Sequence, residues 1–178
     1  MSAPSRLIIR PASHSDVSAI ADLAAAAELP SSSDSPSGGF LVSGFSAEDY
    51  CRFLDTNALL FVAEDDGLAV AFLLAWELDN QRNPSTVEVA MREASPRAIV
   101  IKQVAVASAF RGNGIGRDLY GELQNSAPYR PLVAAIVSEP RNKASEKFHE
   151  SLGFRLIQNV TAEDGIARSI WLRDNTAK

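Results

Sequence analysis

A single cysteine, Cys51, stands among 178 residues, so the chain can form no internal disulfide, which fits a reducing compartment. Long apolar runs are missing too: the longest, residues 68–76, is about half of what crosses a bilayer, and no membrane segment is expected. The opening "MSAPSRLIIRPA" lacks the apolar stretch and small-residue cleavage site of a secretory signal, so the protein is expected in the cytoplasm. Positive charge is in short supply: 17 Lys and Arg face 22 Asp and Glu, giving a formal net charge of -5 and a pI near 5.1. Nonspecific nucleic-acid affinity comes largely from clustered Lys and Arg releasing counterions, so nucleic acid is not the expected partner. What basic character there is gathers around Arg111, Arg117, Arg130, Arg141 and Lys143, which suits a small anionic ligand.

Against these absences stand 46% hydrophobic and 22% charged residues, the balance of an ordinary globular chain. At this length folding hides roughly 70% of the extended chain's surface, and one domain over residues 1–178 is the natural reading. "RLIIRPA" reads as a strand stopped by Pro11, and "SHSDVSAIADLAAAAE" as a helix capped by Ser13. "LPSSSDSPSGG" is too poor in apolar residues to fold on its own and reads as an exposed, mobile loop. "SAEDYCRFLD" reads as a short helix capped by Ser46, and "ALLFVAED" and "LAVAFLLAWEL" as strands joined through a tight turn at Asp65, Asp66 and Gly67. A long connection over residues 79–96 has room for a short helix at residues 87–93. The remainder alternates: strand "AIVIKQVAVAS", helix "GIGRDLYGELQNS", strand "PLVAAIVSE", helix "NKASEKFHESLG", then strands "FRLIQNVT" and "ARSIWLRD".

Chemistry concentrates where the first of those strands meets its helix, at Arg111-Gly112-Asn113-Gly114-Ile115-Gly116. No glycine there is followed by Lys, which excludes a Walker loop; a Gly-x-Gly-x-x-Gly reading would need glycine where Arg117 or Leu119 stands, which excludes the dinucleotide fingerprint. A helix start still favours an anion, because its first N–H groups lack internal partners and the helix dipole places partial positive charge there. Glycines permit positive φ and close approach, at roughly 0.5–1 kcal/mol each relative to alanine. The alternative is a helix entry that needs unusual dihedrals and nothing more.

Arg111-x-x-Gly114-x-Gly116, following a strand, resembles the acyl-CoA loop of the GNAT superfamily of N-acetyltransferases, Arg/Gln-x-x-Gly-x-Gly/Ala. "EPRNKASEKFHESLGF" is similar to the family's later segment, with Asn142, Ser145, Phe148, Leu152, Gly153 and Phe154 at matching places, and "IIRPASHSDVSAIADL" is similar to its first strand and helix. The resemblance implies a mixed, mostly antiparallel α/β sheet flanked by helices, with two parallel strands splayed to form an acyl-CoA cleft. It implies acetyl-CoA as cosubstrate, no metal, and transfer to a primary amine by direct attack in a ternary complex. The implied cosubstrate contacts are the loop residues Arg111, Gly112, Asn113, Gly114, Ile115, Gly116 and Arg117, the strand backbone at Val104, Ala105 and Val106, and Asn142, Ser145 and Phe148.

The family often places a proton-donating Tyr directly after the aromatic residue of the later segment; here that place is His149, which by resemblance donates to the coenzyme A sulfur, or else is a surface histidine beside Glu150. Its ordinary pKa would leave it partly protonated near neutrality. Where some relatives carry a basic carboxylate this chain has Gln103, leaving Glu139, Glu77 or a water as candidate bases; Tyr120 reads as packing. The expected acceptor is a small-molecule primary amine, with a peptide or protein amine next. Phe40, Phe45 and Tyr50 either line its pocket or fill core, and Ala105, Ala107 and Ala135 leave room for a longer acyl chain. A catalytically silent coenzyme A-binding sensor or partner-binding module is the alternative, favoured by Gln103 and the missing Tyr. A homodimer could form by pairing of the last strand, "SIWLRD".

Overall fold

The two apolar runs either side of Asp66 and Gly67 form a hairpin, β2 (Leu59–Asp65) and β3 (Leu68–Glu77), with both loop residues at positive φ, 48° and 82°. Such a two-residue turn matches the right-handed twist of its strands and is the natural place for Asp-Gly. In the computed structural model of the chain, which describes residues 7–29, 38–42, 44–56, 58–80 and 83–175, this hairpin lies in a seven-stranded sheet of order β1-β2-β3-β4-β5-β7-β6. The other strands are β1 (Ile8–Pro11), β4 (Ile99–Val106), β5 (Leu132–Val137), β6 (Arg155–Thr161) and β7 (Ala167–Arg173). Every neighbouring pair is antiparallel except β4 and β5. Most of the Ser- and Pro-rich stretch, residues 30–37, lies outside the described residues, as do residues 81 and 82 of the later connection.

Among the described residues five α-helices cover the sheet: α1 (Val17–Ala26), α2 (Ala47–Asp55), α3 (Thr86–Ala94), α4 (Ile115–Ser126) and α5 (Lys143–Ser151). One face is covered by α4, whose Ile115, Leu119, Tyr120 and Leu123 pack on Phe61, Leu73, Ile99 and Ile101 with Phe148 of α5 against them. On the opposite face α1 and α2 bury Ile20 and Tyr50 against Val62, Phe72 and Leu74, while α3 buries Val87 and Met91 against Val100, Val133 and Ile170. Each of these large side chains contributes about 1.5–3 kcal/mol by leaving water. β7 is interior, paired with β5 on one edge and β6 on the other, so the last strand is not free to pair across a dimer. Trp171 and Leu172 are buried in the sheet.

An irregularity in β4 organises everything that follows. Leu74 pairs with Gln103 but Ala75 pairs with Ile101, so Lys102 is an extra residue, a bulge. Pairing between β4 and β5 covers only Ile99 to Leu132, Val100 to Val133 and Ile101 to Ala134, and ends at that bulge. Beyond it both strands run on without each other.

Candidate active site

A cavity of about 830 Å³ fills the gap where β4 and β5 part, continuing between α4 and α5 on one face and, on the other, between α3 and the chain ahead of α2, residues 38–42 and Phe45. Three other helix starts are closed by side chains, Ser46 accepting from the Asp49 N–H at α2, Ser85 from Glu88 at α3 and Asn142 from Ser145 at α5, while α1 follows directly on a 3-10 turn, His14–Asp16. At α4 the N-cap is Gly114, and no side chain caps it. Its first-turn N–H groups, with the positive end of the helix dipole, therefore open into the cavity.

The three glycines of the loop have two different reasons. Gly112 and Gly114 have φ of 82°, a conformation strained for other residues, and a Cβ at either would meet nothing within 4 Å, so their open side is available for a ligand. Gly116 is not left-handed; a Cβ there would sit 3.1 Å from the Phe148 ring, so it is a close-packing residue that lets α5 approach α4. Val104, Ala105, Val106, Arg111, Ile115, Arg117, Asn142, Ser145, Phe148 and His149 also line the cavity. Asn113 does not, and its side-chain amide donates to the Phe110 carbonyl, closing the turn. Arg111 donates from Nε to the Val106 carbonyl at 3.0 Å. Asn142 does double duty, donating from Nδ2 to the Phe40 carbonyl while Oδ1 caps α5, so the described segment 38–42 is tied to α5 across the cavity.

His149 is buried, 3% exposed, which removes the surface reading. Its Nδ1 lies 2.8 Å from the Ser145 backbone carbonyl, which can only accept, so Nδ1 carries the hydrogen; Nε2 then accepts from the Tyr120 hydroxyl at 2.8 Å. Burial holds the imidazole neutral, pushing its pKa from 6.5 down to about 4. The expected partial protonation near neutrality does not hold. The fully buried Tyr120 hydroxyl is pushed up by the same desolvation. Tyr120, read from sequence as packing, is thus both packing and the partner of the one histidine in the cavity.

On the opposite face the bulge sends two consecutive polar side chains toward different helices. Gln103 accepts from the Tyr50 hydroxyl of α2 at 2.7 Å, in full burial. Lys102 reaches Glu88 of α3 at 3.3 Å and lies 4.8 Å above the Trp76 ring. Phe40 and Phe45 line the cavity, whereas Tyr50 is core. Ser85, Met91, Glu163, Asp164 and Arg168 complete this end; none was singled out from sequence, because their convergence depends on α3 docking against the β6–β7 turn. That docking is a clip in which the Thr86 N–H and hydroxyl donate to one oxygen of Glu163, at 2.5 and 2.6 Å. The proposed bases Glu77 and Glu139 do not line the cavity. Among the described residues no group of three or more His, Cys, Asp or Glu is placed to hold a metal ion, and no helix is long and apolar enough to cross a membrane.

Comparison with known proteins places this geometry. The acetyltransferase (GNAT) family model matches residues 24–154. Among solved structures, an N-acetyltransferase from Staphylococcus aureus Mu50 superposes with a TM-score of 0.68 at 20% identity, covering 97% of this chain and 100% of that one. The yncA protein of Salmonella typhimurium, solved with its cofactor acetyl-CoA, gives 0.67 at 20% identity over 98% and 96% of the two chains. The ribosomal-protein-S18-alanine N-acetyltransferase of Escherichia coli gives 0.67 at 16% identity over 97% and 96%. A search of curated proteins returned no match.

Proposed function

The chain belongs to the GNAT acetyltransferase family and is an acyl-CoA-dependent acetyltransferase, and from that premise we propose that it acetylates the primary amine of a small molecule by direct attack within a ternary complex. The observation that carries the reading is the uncapped start of α4 opening into the same cavity in which β4 and β5 separate.

Acetyl-CoA supplies an activated acetyl thioester. The residues present fit it: the N–H groups of the α4 start and the open sides of Gly112 and Gly114 suit a pyrophosphate, with Arg111 and Arg117 adding charge at the mouth. Backbone groups of Val104, Ala105 and Val106, free of β5, suit the amides of the pantetheine arm, and a strand N–H there would stabilise negative charge developing on the carbonyl oxygen. Asn142, Ser145 and Phe148 form the opposite wall.

As the amine nitrogen bonds to the acetyl carbon and the carbon–sulfur bond breaks, one proton must leave nitrogen and one must reach sulfur. Neutral His149 takes up at Nε2 the proton leaving the amine, the Tyr120 hydroxyl swinging off that nitrogen to free it, and passes the proton to the thiolate while Nδ1–H stays on the Ser145 carbonyl. An imidazolium with a pKa of about 4 is a strong acid toward a thiolate, which suits a short-lived carrier. The amine arrives deprotonated by water, since Gln103 is an amide already bonded to Tyr50.

A small acceptor is supported by the clip between α3 and the β6–β7 turn, which walls the end of the cavity where a longer chain would run. Release of free thiol from acetyl-CoA with a panel of primary amines tests the reading. Amine-dependent release is expected; acetyl-CoA binding without release for any amine would contradict it and favour the sensor alternative.

A further inference from the structure

The acceptor end of the cavity can be characterised by which hydrogen-bonding capacity remains unspent. Glu88 is saturated: one oxygen takes the Trp76 Nε1–H and the Lys102 ammonium, both at 3.3 Å, and the other takes the Ser85 N–H and hydroxyl at 3.0 and 3.1 Å. A carboxylate offers about four such places. Asp164 is held by both ends of the Arg168 guanidinium and by the Ile166 N–H. Glu163 keeps one oxygen clear of Thr86, but it is solvent-exposed, where an added ion pair contributes little. Lys102 is the opposite case. Its side chain is 27% exposed and lines the cavity, and among the described residues Glu88 is the hydrogen-bond partner of only one of its three N–H groups.

We infer that Lys102 reads a carboxylate on the acceptor, so that the preferred substrate is a small amino acid-type molecule with a primary amine and a carboxylate. The inference rests on the transferase reading above and narrows its substrate class. The bulge supplies the geometry: it places Lys102 where β4 leaves β5, on the sheet face between α2 and α3. A monoanion fits better than a phosphate dianion, because the one ammonium is already shared with Glu88 at 3.3 Å and Glu163 lines the same cavity, while the charge of Arg168 is taken up by Asp164. A partly buried, charge-assisted hydrogen bond of this kind changes affinity about tenfold or more.

The test pairs each amino acid with the amine left on removing its carboxylate, phenylalanine with phenethylamine and β-alanine with ethylamine, with ethanolamine phosphate as the phosphate arm. Wild-type kcat/KM should favour the carboxylate member of at least one pair about tenfold or more. K102M should bring that ratio toward one through the acceptor KM with the acetyl-CoA KM unchanged, and K102R should retain it. Ratios at or below one in every pair, preference for the phosphate, or a preference that persists in K102M would overturn the inference. The wild-type ratios decide even if K102M fails to fold. A parallel calorimetric titration of each pair into protein saturated with coenzyme A separates the two claims. Lys102-dependent binding of the amino acid with no turnover would count against the transferase reading alone, and no discrimination in binding would count against the role of Lys102.

Discussion

The two ends of the cavity are built on different terms. At the cosubstrate end the groups offered are main-chain ones: the uncapped N–H groups of α4, the open flanks of Gly112 and Gly114, and the β4 edge beyond Ile101. At the acceptor end side chains from β4, α3 and the β6–β7 turn contribute much of the surface. A backbone site needs particular dihedrals, so it constrains residue type at fixed spacing; a side-chain site can be assembled from many residues at many positions. The first kind preserves one ligand, and the second can be rebuilt for different ones.

The sharpest way to break that contrast is G114W. A ring on the open flank of a backbone site should weaken acetyl-CoA binding at least a hundredfold in calorimetry. The positive φ costs a further 1–2 kcal/mol of stability, to be followed by thermal unfolding. Unchanged binding in a folded variant would remove the backbone site. Next in size, H149F should lower kcat about a hundredfold with acetyl-CoA affinity within a few-fold of wild type, placing His149 in the chemistry and not in the cradle. Undiminished turnover would take it out of the mechanism.

The buried imidazole also has a stability signature. Its folded pKa, about 4, lies below its ordinary 6.5, so between those values the unfolded chain binds the proton more readily and stability falls as pH drops. The full loss, on the order of 3 kcal/mol, is reached near pH 4 and should be absent from H149F in denaturant titrations across that window. Asp16, held down to about 2 by Arg10, is lost only at lower pH, so the two effects separate. The smallest expected effect is at the acceptor clip. E163Q weakens a contact at an exposed turn, so stability should change by less than about 1 kcal/mol while acceptor KM rises a few-fold and acetyl-CoA KM does not move. A change in acetyl-CoA KM instead would mean that the two ends are not independent.

Legibility in the sequence follows the same division. The loop could be read because Gly112 and Gly114 answer to backbone conformation, although the packing reason for Gly116 needed the position of Phe148. The hairpin turn at Asp66 and Gly67 and the cap at Ser46 were local and readable, whereas Asn142, named only through the family resemblance, shows its capping role in the structure. The bulge at Lys102 was not, since it exists only in the register of β3 with β4 and in the end of pairing to β5. Nor was the state of His149: a histidine beside glutamates in a polar helix looks exposed and partly charged until Tyr120, Phe148 and Phe154 are seen around it. The acceptor wall depends on α3 meeting a turn some 77 residues later, which no local pattern announces.

The central claim, that the cosubstrate is held by main-chain groups of α4 and β4, is tested most directly by amide chemical shifts on titrating acetyl-CoA into isotope-labelled protein. The largest shifts are predicted at the amides of residues 104–106 and 112–117, with smaller ones along the α5 wall and those of α3 and the β6–β7 turn little changed. Saturable binding that leaves the α4 start unshifted would contradict the account.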